Sequence, residues 1–168
     1  VYVLHDRDIN ALQKKAPPLI EGYISWEHQL QQNGFDLTAH DVFRFSGAGK
    51  LDFSNKERVI PECEPVEFKD MWAHLEQGAY KVKTNEAVHL PKDVIAFAQS
   101  RSSLLRMGCH TASGFWDAGF EGKSEFLLVV SNPLGLNLKQ NARVAQIVFI
   151  RLNSEADKGY AGKFKGLV

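Results

Sequence analysis

The chain has only two cysteines, Cys63 and Cys109, far apart and in no metal-like spacing. A disulfide framework is therefore not expected, and a reducing cytoplasm is the default compartment. Net charge is also missing, because 20 lysines and arginines balance 20 aspartates and glutamates. Such a chain has no electrostatic reason to seek nucleic acid or an acidic membrane. Any phosphate it binds must be held by a local site and not by a global field. No apolar run approaches the roughly 20 residues that a membrane span needs. The opening Val1-Tyr2-Val3-Leu4 meets His5-Asp6-Arg7-Asp8 at once, too short and too soon charged for a secretory signal. Internal repeats, low-complexity stretches and linkers are absent as well. What remains is 168 residues, 44% of them hydrophobic, enough for one packed domain spanning residues 1–168.

The clearest helix signal comes early. Asp6 or Asp8 is placed to cap a helix running to about Lys15, since Asp accepts the free N–H groups of a first turn. Pro17-Pro18 closes it. Residues 1–30 thus read as a lead-in with a short helix. Beyond them the texture changes to short apolar runs separated by turn residues. Val42 to Phe45 is strand-like, and Ser46 to Lys50 reads as a hairpin loop before Leu51-Asp52-Phe53. Ala79 to Lys83 and Ala87 to Leu90 alternate, while Val94 to Ala98, Phe126 to Val130 and Val144 to Ile150 are dense enough for buried strands. Repeated short strands with Gly, Pro and Asn at the joints predict an all-β fold, a barrel or jelly roll, with a short N-terminal helix.

Several motifs fail on their chemistry. Gly47-Ala48-Gly49-Lys50 has the outline of a phosphate loop, but Leu51 follows the lysine where Ser or Thr is needed, and Arg44 stands where the first Gly should be. His74-Leu75-Glu76 matches half of a zinc deaminase signature whose P-C-x-x-C half is absent. Glu62, Glu64 and Glu67 read as a solvated loop.

Two segments have residue types suited to a site. In Gln99 to Arg106, after an apolar strand, Arg101 and Arg106 offer planar forks for phosphate oxygens, and Ser102 and Ser103 offer hydroxyls. The same residues also suit a solvated helix cap. In Gly114 to Gly122, three glycines surround Asp117 and three aromatics, Phe115, Trp116 and Phe120. The glycines let backbone approach a ligand, the aromatics can stack on a base or sugar, and Asp117 can deprotonate a water. A β-turn with inward aromatics is the competing reading.

Taken in order, Asn33-Gly34-Phe35-Asp36-Leu37, Arg101-Ser102-Ser103-Leu104, Trp116 to Gly122, Arg143-Val144-Ala145-Gln146 and Gly159 to Gly166 resemble the five motifs of the dUTPase/dCTP deaminase family, most of all its archaeal-type dUTPase branch. The resemblance spans about residues 33 to 166. It implies a distorted β jelly roll, a homotrimer with sites at subunit boundaries, and Mg²⁺ on the triphosphate of dUTP, held through substrate oxygens and waters. It also implies roles. Arg101, Ser102 and Gln146 would hold phosphates, with Ser103 and Arg106 beside them. The hairpin from Gly114 through Trp116 to Phe120 would present backbone to the pyrimidine edge. Phe120, where many members have Tyr, would pack under the deoxyribose. Tyr160, Lys163 and Phe164 would belong to a flexible C-terminal motif, residues 159–168, that closes over the base and excludes water, with Lys163 and Lys165 adding charge near the phosphates. Asp36 would support the water or metal shell.

The family runs two reactions on one scaffold, so fold analogy does not choose between them. Pyrophosphohydrolysis needs a carboxylate to activate water, which Asp117 supplies. Family deaminases use a glutamate ten residues after that aspartate, where this chain has Leu127. Glu125, two residues earlier, lies on the same strand face but about 6–7 Å away at ~3.3 Å per residue, unless a bulge shifts it. The expectation is a dUTP diphosphatase. The alternatives are a dCTP deaminase, or bifunctional deaminase, and a nucleotide-binding module without turnover.

Overall fold

The computed structural model describes residues 1–162. Its elements run β1 (Tyr2–Val3), α1 (Asp6–Gln13), β2 (Ile20–Glu21), α2 (Trp26–Gln29), β3 (Leu30–Gln31), β4 (Gly34–Phe45), β5 (Cys63–Pro65), β6 (Trp72–Leu75), β7 (Gly78–His89), β8 (Val94–Ser100), α3 (Ser102–Arg106), β9 (Cys109–Ala112), β10 (Glu121–Val130), β11 (Leu136–Lys139) and β12 (Arg143–Arg151). The molecule is mostly β, as expected.

The cap of α1 differs from the expectation. His5, not Asp6 or Asp8, is the N-cap: its Nδ1 accepts from the Arg7 and Asp8 N–H groups at 3.1 and 3.4 Å, and Asp8 returns the bond to the His5 N–H. The helix also stops at Gln13, two residues short of Lys15. Gln13 explains the stop, because its carboxamide makes both bonds to the Ile20 backbone, at 2.8 and 3.0 Å, and turns the chain into β2.

All strand pairs are antiparallel. The main sheet runs β1-β12-β4-β7-β10-β9, and β8 adds to β12 as a further edge. The sheet curls until the β8 edge meets the other edge at β9. There Ala96 and Trp116 exchange backbone bonds of 2.9 Å, Thr111 N–H donates to the Ser100 hydroxyl at 2.8 Å, and Ala98 N–H donates to the Ser113 hydroxyl at 3.4 Å. The seam draws these two edges together around one core, with Phe35, Leu37, Val82, Leu128, Ile147 and Phe149 at its centre. This is the distorted jelly roll, and its closing seam positions the candidate site.

Two sequence readings are corrected. Ala79 to Lys83 and Ala87 to His89 belong to one strand, β7, with Leu90 just beyond its end. Its inward positions alternate without a break, but two of them are the buried Thr84 and Glu86, so the apolar pattern lapses while the strand continues. Ser46 to Lys50 does not lead into a strand at Leu51–Phe53. The chain instead runs out to residue 62 and returns as β5, where Phe45 pairs with Cys63. Leu51 and Phe53 stay exposed.

Candidate functional site at the closing seam

The sequence-predicted residues fall into two groups. The first sits where β8 ends. Gln99, Gln146 and Asp36 lie in register across β8, β12 and β4, forming one row. Gly34 permits this packing, since a Cβ there would meet the Ile147 carbonyl at 2.3 Å and the Gln146 amide at 3.0 Å. Asp36 is 2% exposed, and its Oδ2 takes Arg101 Nε at 3.1 Å and Arg143 Nη1 at 3.2 Å. Arg101 also donates to the Arg143 carbonyl at 3.3 Å, and Arg143 to the His28 carbonyl at 2.6 Å. Burial pushes the Asp36 carboxyl above its usual range, while Arg101 and then Arg143 pull it down. One carboxylate oxygen thus anchors two guanidinium groups close together, and such forks are suited to phosphate oxygens. Ser102, Ser103 and Arg106 follow on α3, all exposed. With five residues, α3 is too short to lend much dipole, so what this end of β8 offers an anion is the arginines and hydroxyls.

Sequence reasoning missed the support beneath this row. Glu86 is fully buried, and its carboxylate accepts from Thr38 N–H at 2.9 Å, the Thr38 hydroxyl at 2.6 Å and the Gln29 amide at 2.7 Å. Gln29 also donates to the Asp36 carbonyl at 2.8 Å and accepts from Ile24 and Ser25 N–H. Glu86 thus braces the β4 segment that carries Asp36. Burial raises its carboxyl above the ordinary value, against those donors. The available signal was an inward period-two position holding a charged residue, which folded proteins bury only with partners.

The second group is the turn after β9. Asp117 is exposed, and its carbonyl accepts from Phe120 N–H at 3.0 Å. Gly119 has φ of 78°, and a Cβ there would lie 3.0 Å from Gly159, so glycine is required. Gly114 is exposed with open space around it. Trp116 is 5% exposed and turns its indole N–H onto the Ser124 hydroxyl at 3.0 Å. Phe120 packs on Tyr160, ring centroids 5.3 Å apart, and Tyr160 N–H donates to the Ala118 carbonyl at 2.8 Å. A cavity of about 330 Å³ opens here, lined by Gly114, Phe115, Trp116, Phe120, Glu125 and Tyr160, among others. That volume suits a base and sugar. Lys163 and Phe164 lie outside the described residues.

The two groups are apart within one chain. Trp116 pairs with Ala96 and the cradle begins at Arg101, so they are separated by roughly 16 Å along β8 at ~3.3 Å per residue. Arg101 is moreover drawn toward Asp36 on β4, two strands away from the seam. Among the described residues no group of three His, Cys, Asp or Glu side chains converges on a metal position, and no helix is long and apolar enough to cross a membrane.

Comparison with known proteins follows this geometry. The family model described as dCTP deaminase-like matches residues 3–152. A protein of Archaeoglobus fulgidus named "Probable deoxyuridine 5'-triphosphate nucleotidohydrolase" is 47% identical over 164 residues, covering 98% of this chain and 96% of that protein. One of the same name from Methanosarcina mazei is 44% identical, covering 97% and 96%. The crystal structure of 2'-deoxycytidine 5'-triphosphate deaminase from Agrobacterium tumefaciens has the same fold, with a TM-score of 0.65 at 24% identity, over 88% of this chain and 47% of that one. A match over most of the chain, with relatives this similar over nearly their whole length, means that the chain belongs to the dCTP deaminase-like family.

Proposed function

We propose that this protein is a dUTP diphosphatase that assembles as a homotrimer with its sites between copies. The observation that carries the reading is the exposed Asp117 on a turn beside an aromatic cavity, with aliphatic Leu127 ten residues on. The names of its archaeal relatives, which match over nearly their whole length, support it. A water held by the Asp117 carboxylate gives up its proton as its oxygen attacks the α-phosphorus. The bond to the bridging oxygen of the β-phosphate breaks, and dUMP and pyrophosphate leave. A general base must come within ~3 Å of the water. The cradle of the same chain is too distant, so Arg101, Ser102 and Gln146 of one copy serve the Asp117 turn of another. Asp36 acts through the two arginines it pins. Phe120 and Trp116 shape the cavity for base and deoxyribose, with Tyr160 packed on Phe120 at its side. Mg²⁺ bound along with the triphosphate would supply charge neutralisation beside Arg101 and Ser102.

A second reading, dCTP deamination, is favoured by one observation: Glu125 lines the same cavity, paired with Lys81 at 3.5 Å. One experiment separates the two. Purified protein with Mg²⁺ is given dUTP and dCTP separately, and nucleotides, pyrophosphate and ammonia are resolved. The expected result is dUMP and pyrophosphate from dUTP and no ammonia from dCTP. Asp117→Asn should lower turnover by about 10²–10⁴-fold and leave dUTP binding in place. Undiminished pyrophosphate release by that variant overturns the assignment. Ammonia from dCTP, lost in Glu125→Gln, establishes the second reading. Binding of dUTP with no product from either nucleotide marks a binding module.

A further inference from the structure

The connection between β4 and β5, residues 46–62, is held by its own contacts yet turns large apolar side chains outward. Asp52 accepts from Ser54 N–H at 3.0 Å, the Ser54 hydroxyl at 2.6 Å and Glu57 N–H at 3.1 Å. Lys50 pairs with Glu57 at 2.6 Å, and Lys50 and Val59 exchange backbone bonds of 3.0 and 2.8 Å. So much local bonding makes a shaped arm. Phe53 is nevertheless fully exposed, Leu51 is 79% exposed, and Val59 and Ile60 are each at least half exposed. Several large apolar side chains turned outward on one self-bonded segment are what an interaction surface offers.

The position of the arm identifies the occupant. Ile60, on its returning limb, lines the cavity shared by Phe115, Trp116 and Phe120. Whatever covers the arm therefore sits at the mouth of the candidate site. Asp117 follows Trp116 on the turn whose aromatics line that cavity, and faces the adjoining hollow beside Ala118 and Tyr160, whereas Arg101 and Ser102 lie at the far end of β8. The cradle end carries its own exposed apolar pair, Leu105 and Met107, beside Arg106. The two apolar surfaces flank the two half-sites of one chain, and bringing them together between copies makes a head-to-tail contact of the kind that closes into a ring. We infer that the arm of residues 46–62 is the docking element that grips the α3 end of a second copy of this chain. Leu51, Phe53 and Ile60 receive Leu105 and Met107, and the grip sets Arg101 and Ser102 of that copy over the Asp117 turn. The inference rests on the shared site proposed above and names the surface that assembles it.

Two measurements test the arm without using turnover. In sedimentation velocity the wild-type chain should run as one closed oligomer, and Leu51→Asp/Phe53→Asp should need at least tenfold higher concentration to assemble. With the photo-reactive benzoylphenylalanine in place of Phe53, irradiation should join two copies, with the attachment mapping to residues 102–107. The photo-reactive protein keeps an aromatic ring at the position, so it decides the matter if the double variant fails to fold. A monomeric wild type, an unchanged assembly of the folded double variant, or attachment only elsewhere overturns the inference. The two proposals fail separately. An oligomer joined through the arm that leaves dUTP intact sinks the diphosphatase reading alone. Hydrolysis of dUTP by an oligomer indifferent to the arm substitutions sinks this one alone.

Discussion

Replacing Asp36 with Asn keeps the side-chain volume and removes the charge that pins Arg101 and Arg143. Stripping one partner from a buried ion pair costs about 3–5 kcal/mol. Here the carboxylate is 2% exposed, but the arginine side chains are 28% and 36% exposed. Water recovers part of what each guanidinium loses, which brings the expected cost to about 2–3 kcal/mol. For a chain of this size the melting temperature should fall by roughly 5–10 °C. The functional effect is separate. Arg101 is now free to sample rotamers, and ordering such a side chain on binding costs about 0.5–1.5 kcal/mol. Initial rates of pyrophosphate release should therefore show KM for dUTP raised by roughly 3–10-fold, with kcat little changed, because the uniform binding of phosphates is weakened and the water-activating carboxylate is untouched. A melting temperature that falls while KM stays at the wild-type value would show that Asp36 is structural support alone and would refute the argument that it orients the cradle.

Two further predictions concern the braces of the two half-sites. The Glu86 carboxyl is raised by burial above an ordinary 4.5, so ionisation disfavours the folded state. Wild-type stability from this group is greatest below that pH and declines as pH rises toward the folded pKa. Glu86→Gln, which does not ionise, should lose about 1–3 kcal/mol at low pH through a mismatched hydrogen-bond partner. Its disadvantage should shrink between pH 4 and 7 in urea unfolding, and a constant difference would refute the reading. In the turn, Gly119→Ala meets both a φ of 78° and a Cβ contact of 3.0 Å with Gly159. It should lose about 1–2 kcal/mol and raise KM by displacing Tyr160 from Phe120. Gly114→Ala, whose Cβ meets open space, should match the wild type in melting temperature, and equal losses from both substitutions would contradict the account.

The β character was legible because dense apolar runs such as Val94 to Ala98 and Val144 to Ile150 depend on neighbours only for their burial. What escaped depended on distant partners. Thr84 and Glu86 looked like a break in β7 because their satisfaction comes from Thr38 and Gln29, remote in sequence. Asp36 was expected to support a water or metal shell, and nothing local reveals that Arg101 and Arg143 converge on it. The arm was invisible for another reason: turn residues at 46–50 suit a tight hairpin equally well, and only the pairing of Phe45 with Cys63 decides against it. Arg101, Ser102 and Asp117 were singled out as candidates by chemistry and order along the chain, but their separation across the seam appears only when the sheet closes.

The same closure bears on which reaction the cavity can run. The pairing of β10 with β7 does shift register between Lys123 and Glu125, the place where a bulge could have rescued the glutamate. Across that shift β7 advances from Ala87 to Lys83, four residues, while β10 advances two, from Lys123 to Glu125. The extra residues therefore belong to β7, where they include Thr84 and the buried Glu86. Strand β10 keeps its inward positions at every second residue from Gly122 to Val130. Glu125 and Leu127 thus share a face and remain about 6–7 Å apart, twice the reach of a direct proton transfer. A base placed to meet the atom that faces Leu127 would find hydrocarbon there and a carboxylate one pleat away, already paired with Lys81. The bulge that braces the phosphate cradle leaves the glutamate where it was, which favours hydrolysis at Asp117 over deamination.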